Sequence, residues 1–299
     1  MKNLIIVSSI LFSIISCKQN PESYENIDWQ GHRGARGVYP ENTWAAFQYA
    51  LEQNMNTLEM DVVISKDGKV VLSHEPFLNH KICLDTAGNP IPEAEEKEWN
   101  IYKMNYSDLQ KCDCGTIQNP DFPNQKTSSS SKPLLIDIIN KTKSYCGEKG
   151  IELPHMNVEV KYEEEMKGEF HPEIKEFNKL VYNVLSENYP SEKWNIQSFD
   201  FNVLKHFRKN YPKVTLAALV FESGAYEQQF EDLGFTPEIY SPYFQLVDNE
   251  MLTELHEQNV KVIPWTVNEE KDAKRLIKLG IDGIITDYPE LADKFRKNP

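Results

Sequence analysis

No surplus of positive charge exists in this sequence: 32 Lys and Arg stand against 46 Asp and Glu in 299 residues, a formal net charge of −14. That balance excludes nucleic acid as a general partner and any general affinity for anionic membrane surfaces. An anionic substrate then needs a local positive site, made by a metal ion or by clustered Arg and Lys. No internal repeat stands out, and the N-terminal apolar run from Leu4 to Ile15 is too short to span a bilayer comfortably. Disorder is set aside as well. With 40% hydrophobic residues the chain can bury one sizeable core, as a single large α/β barrel or as two ordinary domains.

Cysteine is scarce, five in all. The first, Cys17, closes a lysine, an apolar run and a stretch of small residues, and polar sequence follows it. This is the layout of a secretory signal, and the "ISC" ending resembles a bacterial lipobox. The resemblance implies a signal peptide over 1–16, Cys17 as the lipidated first residue, a linker over 17–26, and export to the cell envelope with a membrane anchor through the lipid. An ordinary cleaved signal, or a short anchor, with an incidental cysteine is the plainer alternative. Cys83, Cys112, Cys114 and Cys146 are an even set in a chain read as exported, so disulfides are expected, with three connectivities open. The "KCDCG" pair lacks a second clear Cys/His pair and gives zinc little support.

What the sequence does have is alternation of short apolar or β-branched runs with longer helical patterns, the mark of parallel βα units. Eight runs qualify as strands: 28–31, 57–63, 155–161, 194–197, 214–219, 238–240, 260–265 and 283–286. Eight suggests a closed (β/α)8 barrel over 27–299. Asn42 is expected to cap a helix through Leu51, Pro172 to open one toward Leu185, and the helix after Asn268 to stop at Gly280. A turn at Asp67-Gly68 returns the chain into a strand that ends near His74. From about 76 to 132 the pattern fails in Pro, Asn and Ser-rich sequence, which reads as an insertion after the second strand region.

In "TLEMDVV", Glu59 and Asp61 point to one face of a strand while Leu58, Met60 and Val62 point to the other. In "HMNVEVKY" the same alternation puts Asn157, Glu159 and Lys161 on one face. Three carboxylates from two strands repel one another unless a cation sits between them, and their oxygen donors suit a hard divalent ion, Mg²⁺ or Ca²⁺. Each motif alone fits a solvated edge strand as well. Polar pairs interrupting runs that read as buried strands, with His32 and His74 at two further strand ends, favour a site, because barrel active sites gather at the C-terminal ends of strands.

The motifs "HRGARGVYPENT", "LEMDVVISKDGKVVLSHEP", "NVEVK", "QSFD", "PWTVN" and "GIDGIITDYP" together resemble the glycerophosphodiester phosphodiesterase family, in the family's order, from about Gln30 to Tyr288. The resemblance implies a TIM barrel with an insertion after the second strand. It implies Glu59, Asp61 and Glu159 as metal-binding carboxylates and His32 and His74 as general acid and base. Arg33 falls on the phosphate-contacting position, Lys161 on a frequent basic position, and Trp265 on an aromatic position near the substrate. Gln197 and Phe199 lie at another strand end and are expected to line the pocket. One departure is visible: the family often has His-Asp where this chain has His74-Glu75, which puts the orientation of His74 in question.

The expected reaction is metal-dependent hydrolysis of deacylated phospholipid head-group diesters to glycerol 3-phosphate and an alcohol. One histidine activates the nucleophile, water or the glycerol 2-hydroxyl, and the other protonates the leaving group. Rival readings are a lipid phosphodiesterase of the phospholipase D toxin type and a surface lipoprotein that binds without turnover. A glycosidase barrel leaves His32, Arg33 and His74 unexplained. His80, His155, His171, His206 and His256 match no role. The released alcohol, the choice of ion and the oligomeric state stay open.

Overall fold

In the computed structural model, residues 26–222 and 224–297 are described. The signal peptide, Cys17 and almost all of the linker expected at the N-terminus lie outside them. The chain runs β1 (Asp28–Gly31), α1 (Trp44–Glu52), β2 (Thr57–Ile64), β3 (Val70–Leu72), α2 (Tyr106–Leu109), α3 (Leu135–Lys149), β4 (His155–Val160), α4 (Ile174–Asn188) and β5 (Trp194–Ser198). It continues through α5 (Phe201–Asn210), β6 (Thr215–Val220), α6 (Tyr226–Leu233), β7 (Ile239–Pro242), α7 (Asn249–Glu257), β8 (Lys261–Val262), α8 (Glu270–Leu279), β9 (Gly283–Thr286) and α9 (Glu290–Lys297).

The strand order is β8-β7-β6-β5-β4-β2-β1-β9, parallel throughout, with β3 antiparallel on β2. Hydrogen bonds from Asp282 to Val262, from Ile285 to Pro264 and from Val267 to Ile285 bring the two ends together, so the eight parallel strands form a nearly closed (β/α)8 barrel. The run expected over 260–265 holds a ladder only at Lys261–Val262, and Pro264, which has no N–H, joins β9 through its carbonyl instead.

Every residue of β2 is buried. Leu58, Met60 and Val62 join the large core between sheet and helices, with Phe47, Ile138 and Phe177. The other face of the sheet lines the barrel interior, which is split. One side holds a small apolar cluster of Ala217, Ile239, Ile263 and Ile285. The other is polar: β2, β4 and β5 register Glu59 beside Asn157, Asp61 beside Glu159, and Glu159 beside Gln197. Truncating a fully buried residue such as Leu58 to Ala is worth about 2–5 kcal/mol.

Two local expectations are corrected. Thr43, not Asn42, caps α1, its hydroxyl accepting from the Ala46 amide, while Asn42 sits in a left-handed turn (φ 56°) and turns its amide to Asp61. Among the described residues, Cys83 and Cys114 are bridged, while Cys112 and Cys146 are free and buried. The turn at Gly68 (φ 71°) does return the chain into β3, and α8 stops at Gly280 (φ 97°) as expected. The 76–132 stretch folds around its own apolar cluster, Leu78, Ile82, Ile91, Ile101 and Leu109, seated on Val63 and Val71 of the β2–β3 pair.

Candidate active site

At the C-terminal end of the barrel, Glu59, Asp61 and Glu159 each present a carboxylate oxygen within 4.8 Å of the others, and all three residues are buried. Burial, then the charges of Asp61 and Glu159, push Glu59 well above the usual carboxylate range. Burial also raises Glu159, against the pull of Lys161. Asp61 goes the other way: burial opposes its ionisation, but Arg33, His74, Lys161 and the Asn42 amide outweigh it and hold it far down. Among the described residues, its Oδ1 is buried without a hydrogen-bond partner. An all-oxygen set with one orphaned carboxylate oxygen fits a hard divalent cation, which relieves the mutual repulsion.

The two histidines flank this cluster, each with Nδ1 on a carboxylate. His32 Nδ1 lies 2.7 Å from Asp287 Oδ1, and its Nε2 lies 4.0 Å from Glu59. Asp287 is held well below the usual range, because His32 and Arg36 outweigh the cost of its burial. An ionised carboxylate only accepts, so the proton stays on His32 Nδ1 and Nε2 offers a lone pair to the cavity. Burial, then the charge of Arg36, lowers His32 to about 4 despite Asp287, so the ring is neutral at pH 7.

His74 Nδ1 is 3.0 Å from Glu75 Oε1. Glu75 is held down to about 2: against burial it accepts a hydrogen bond from His74 and faces its charge, with those of Lys132 and Arg33. The longer side chain thus reaches the histidine and settles the question raised by the His74-Glu75 pair.

Arg33 is buried in a left-handed turn (φ 49°), and its backbone N–H donates to Glu59 Oε2 at 2.8 Å. Its guanidinium pairs with Glu41 at 2.9 Å and Asp61 at 3.4 Å. Gly34, at φ 84°, allows this turn: a Cβ there would lie 2.8 Å from Ala46 backbone and side-chain atoms. Lys161 Nζ contacts Glu159 at 2.7 Å and Asp61 at 4.0 Å.

These groups open on a cavity of 180 Å³ lined by His32, Arg33, Arg36, Glu59, His74 and Trp265, among others. Trp265 is fixed by its indole N–H to Ser241 O (2.8 Å) and meets Phe199 edge-on at 5.3 Å, both at the rim. Gln197 also lines the cavity, but its amide is committed to bracing the site: it donates to Glu59 Oε1 at 2.8 Å and accepts from Asn157 at 2.9 Å. A larger cavity, 780 Å³, sits at the opposite end of the barrel and shares none of these residues. His32 and His74, with Glu59 and Glu159 of the acid cluster, line the smaller one.

Sequence reasoning missed Asp287, Arg36, Asn268 and the role of Asn42. Arg36 doubles on Asp287 through Nε (2.9 Å) and Nη2 (3.1 Å), and Asn268 donates to Asp287 Oδ2 at 2.8 Å. Asn42 donates to Asp61 Oδ2 at 2.9 Å. The available signal was position: Asp287 directly follows a strand, as His32 does.

A glycerophosphodiester phosphodiesterase of Bacillus altitudinis is 28% identical over 273 residues, covering 89% of this chain and 96% of that protein. A solved structure from Silicibacter pomeroyi, provisionally named a glycerophosphoryl diester phosphodiesterase, superposes with a TM-score of 0.80 at 26% identity, covering 91% of this chain and 93% of that one. An Oleispira antarctica phosphodiesterase, solved in complex with the product sn-glycerol-3-phosphate, shares the fold with a TM-score of 0.71 at 22% identity, covering 92% and 99%. The model of the glycerophosphoryl diester phosphodiesterase family matches residues 32–291, nearly the whole described barrel, and the chain belongs to that family.

Proposed function

We propose that this enzyme hydrolyses glycerophosphodiesters to glycerol 3-phosphate and an alcohol, with one divalent cation, Mg²⁺ or Ca²⁺, held by Glu59, Asp61 and Glu159. The observation that carries the reading is the pairing of two carboxylate-anchored histidines, His32 and His74, across one cavity from a buried three-carboxylate cluster. The cation, when bound, takes up negative charge on the phosphoryl oxygens. Arg33 and Lys161 add fixed positive charge where the equatorial oxygens gain negative charge in the transition state.

His32 Nε2, neutral and facing the cavity, takes the proton of the nucleophile, water or the glycerol 2-hydroxyl. His74, held through Nδ1 by Glu75, gives a proton to the departing alkoxide. Trp265 and Phe199 close the rim around the bound diester. The test strips metal from the protein, restores Mg²⁺ or Ca²⁺, and follows glycerol 3-phosphate release. Metal-dependent release that disappears in His32→Ala is expected. A diester with an acidic phenol as leaving group should rescue His74→Ala, because that group leaves without a proton, and should not rescue His32→Ala. Full activity of His32→Ala on the natural diester would sink the assignment.

Export with lipidation at Cys17 is part of the same proposal, and the Cys83–Cys114 bridge supports an oxidising compartment. Radiolabelled fatty acid incorporated by the wild type and not by Cys17→Ser is the expected result; equal labelling would remove the anchor.

A further inference from the structure

Beyond the acid cluster the site continues into a second cavity of 320 Å³, bordered by Pro76, Tyr162, Glu163, Met166 and His171. His74, Glu159 and Phe199 line both cavities, so the two are compartments of one cleft with His74 at the junction. The compartments differ in charge. The first holds Arg33 and Arg36, themselves paired with Glu41, Asp61 and Asp287, and is the compartment that would take the divalent cation. In the second, the ammonium of Lys161 is already committed to Glu159 at 2.7 Å, and buried His171 spends its ring nitrogens on the Glu163 and Pro172 backbone.

Glu163 is exposed at this border, and its carboxylate makes no hydrogen bond or ion pair among the described residues. Its neighbour Glu164, by contrast, is tied to Tyr162 and Lys167. The uncompensated charge of the second compartment is therefore negative. Its walls are soft and aromatic: Met166, Tyr162 and Phe199, the last 42% exposed. Phe199 already lies 5.8 Å from one ammonium, that of Lys161. A free carboxylate and an accessible ring on the walls of one cavity are a setting for a second cation.

We infer that this second compartment receives the alcohol half of the diester and selects an alcohol bearing an ammonium group, primary or quaternary. The inference rests on the phosphodiesterase reading of the site. The two charges of a zwitterionic diester then match the two compartments: phosphate toward the first, beside Arg33, and ammonium toward Glu163 and Phe199 in the second. The bond broken is the one between phosphorus and the alcohol oxygen, and that oxygen emerges beside His74 at the junction, where a proton is available. A neutral polyol fits the volume but leaves Glu163 without its counter-charge.

The experiment compares kcat/KM of the metal-loaded full chain on glycerophosphoethanolamine, glycerophosphocholine and glycerophosphoglycerol. Wild type is expected to favour one or both ammonium diesters over glycerophosphoglycerol by about tenfold or more, since a cation–π contact and a counter-charge each contribute severalfold. Glu163→Gln brings that ratio down by about fivefold, and Glu163→Lys inverts it. Glu165→Gln, on the same loop but away from the cavity, leaves the ratio as it was. A wild-type ratio at or below one, or a ratio unmoved by Glu163→Lys, overturns the inference while leaving the phosphodiesterase standing. No hydrolysis of any of the three diesters removes the phosphodiesterase reading and the inference with it.

Discussion

Replacing Asp287 by Asn changes one atom and should cost the enzyme most of its turnover. Each carboxylate oxygen of Asp287 faces two donors: Oδ1 meets His32 Nδ1 at 2.7 Å and Arg36 Nε at 2.9 Å, while Oδ2 meets Arg36 Nη2 at 3.1 Å and Asn268 Nδ2 at 2.8 Å. An amide must turn its NH₂ toward one of these pairs. On the Oδ2 side it confronts Arg36 and Asn268. Asn268 cannot flip to help, because its own Oδ1 accepts the Asp287 backbone N–H at 3.0 Å and the Thr286 hydroxyl at 3.3 Å. On the Oδ1 side the NH₂ donates to His32 Nδ1, which moves the ring proton to Nε2 and leaves no lone pair toward the substrate.

Either arrangement also strips Arg36 of its buried counter-charge, a loss of about 3–5 kcal/mol for a broken buried pair. Misplacing the tautomer of a carboxylate-held histidine lowers turnover by about 10⁴ in the Ser-His-Asp hydrolases, and a general base contributes about 10²–10⁴. The expected fall in kcat for Asp287→Asn is therefore about 10²–10⁴-fold, or roughly 3–5.5 kcal/mol on the barrier. KM should change less than kcat, since Asp287 does not itself line the cavity and Arg36, which does, keeps its charge. The assay is glycerol 3-phosphate release at saturating metal, with a thermal melt to confirm that the variant is folded. A folded variant keeping kcat within tenfold of wild type would refute the argument that Asp287 sets the proton of His32.

Three further outcomes follow from the same geometry. Saturating the metal-stripped protein with Mg²⁺ or Ca²⁺ should raise its stability by about 2.7 kcal/mol at a hundredfold excess over Kd, and Asp61→Asn should abolish the rise; a wild-type melt indifferent to metal would remove the three-carboxylate site. Cys83→Ser opens a bridge spanning a sequence separation of 31 and should cost about 3–4 kcal/mol in urea unfolding, with no loss at all counting against a bridge in the native protein. Glu75, about 2 in the folded chain against an ordinary 4.5, contributes stability that is complete above pH 4.5 and is lost as pH falls toward 2, at most about 3 kcal/mol. The advantage of wild type over Glu75→Gln in denaturant melts should accordingly narrow below pH 4.5, and a gap that widens there would contradict the pairing with His74.

What could be read from the sequence divides along a physical line. Glu59, Asp61 and Glu159 were legible because a buried parallel strand has a strict period of two, so a carboxylate that breaks an apolar run declares its own face. His32 and His74 were legible because they stand where strands end. Their orienting partners come from other places in the chain, and no local pattern names them: Asn42 reads as a helix cap on spacing alone, yet Thr43 takes that place and frees Asn42 for Asp61. The cysteine pairing was equally silent, because it depends on how a stretch with a sequence separation of 31 folds around Leu78, Ile101 and Leu109. Asp287 is the instructive case. It lies 255 positions from His32, and only closure of the barrel joins them. A closed barrel pairs its first strand with its last, and the register observed sets Gly31 beside Thr286. The residues that follow, His32 and Asp287, then emerge side by side on the same rim. The histidine's proton is thus placed by the topology of the barrel.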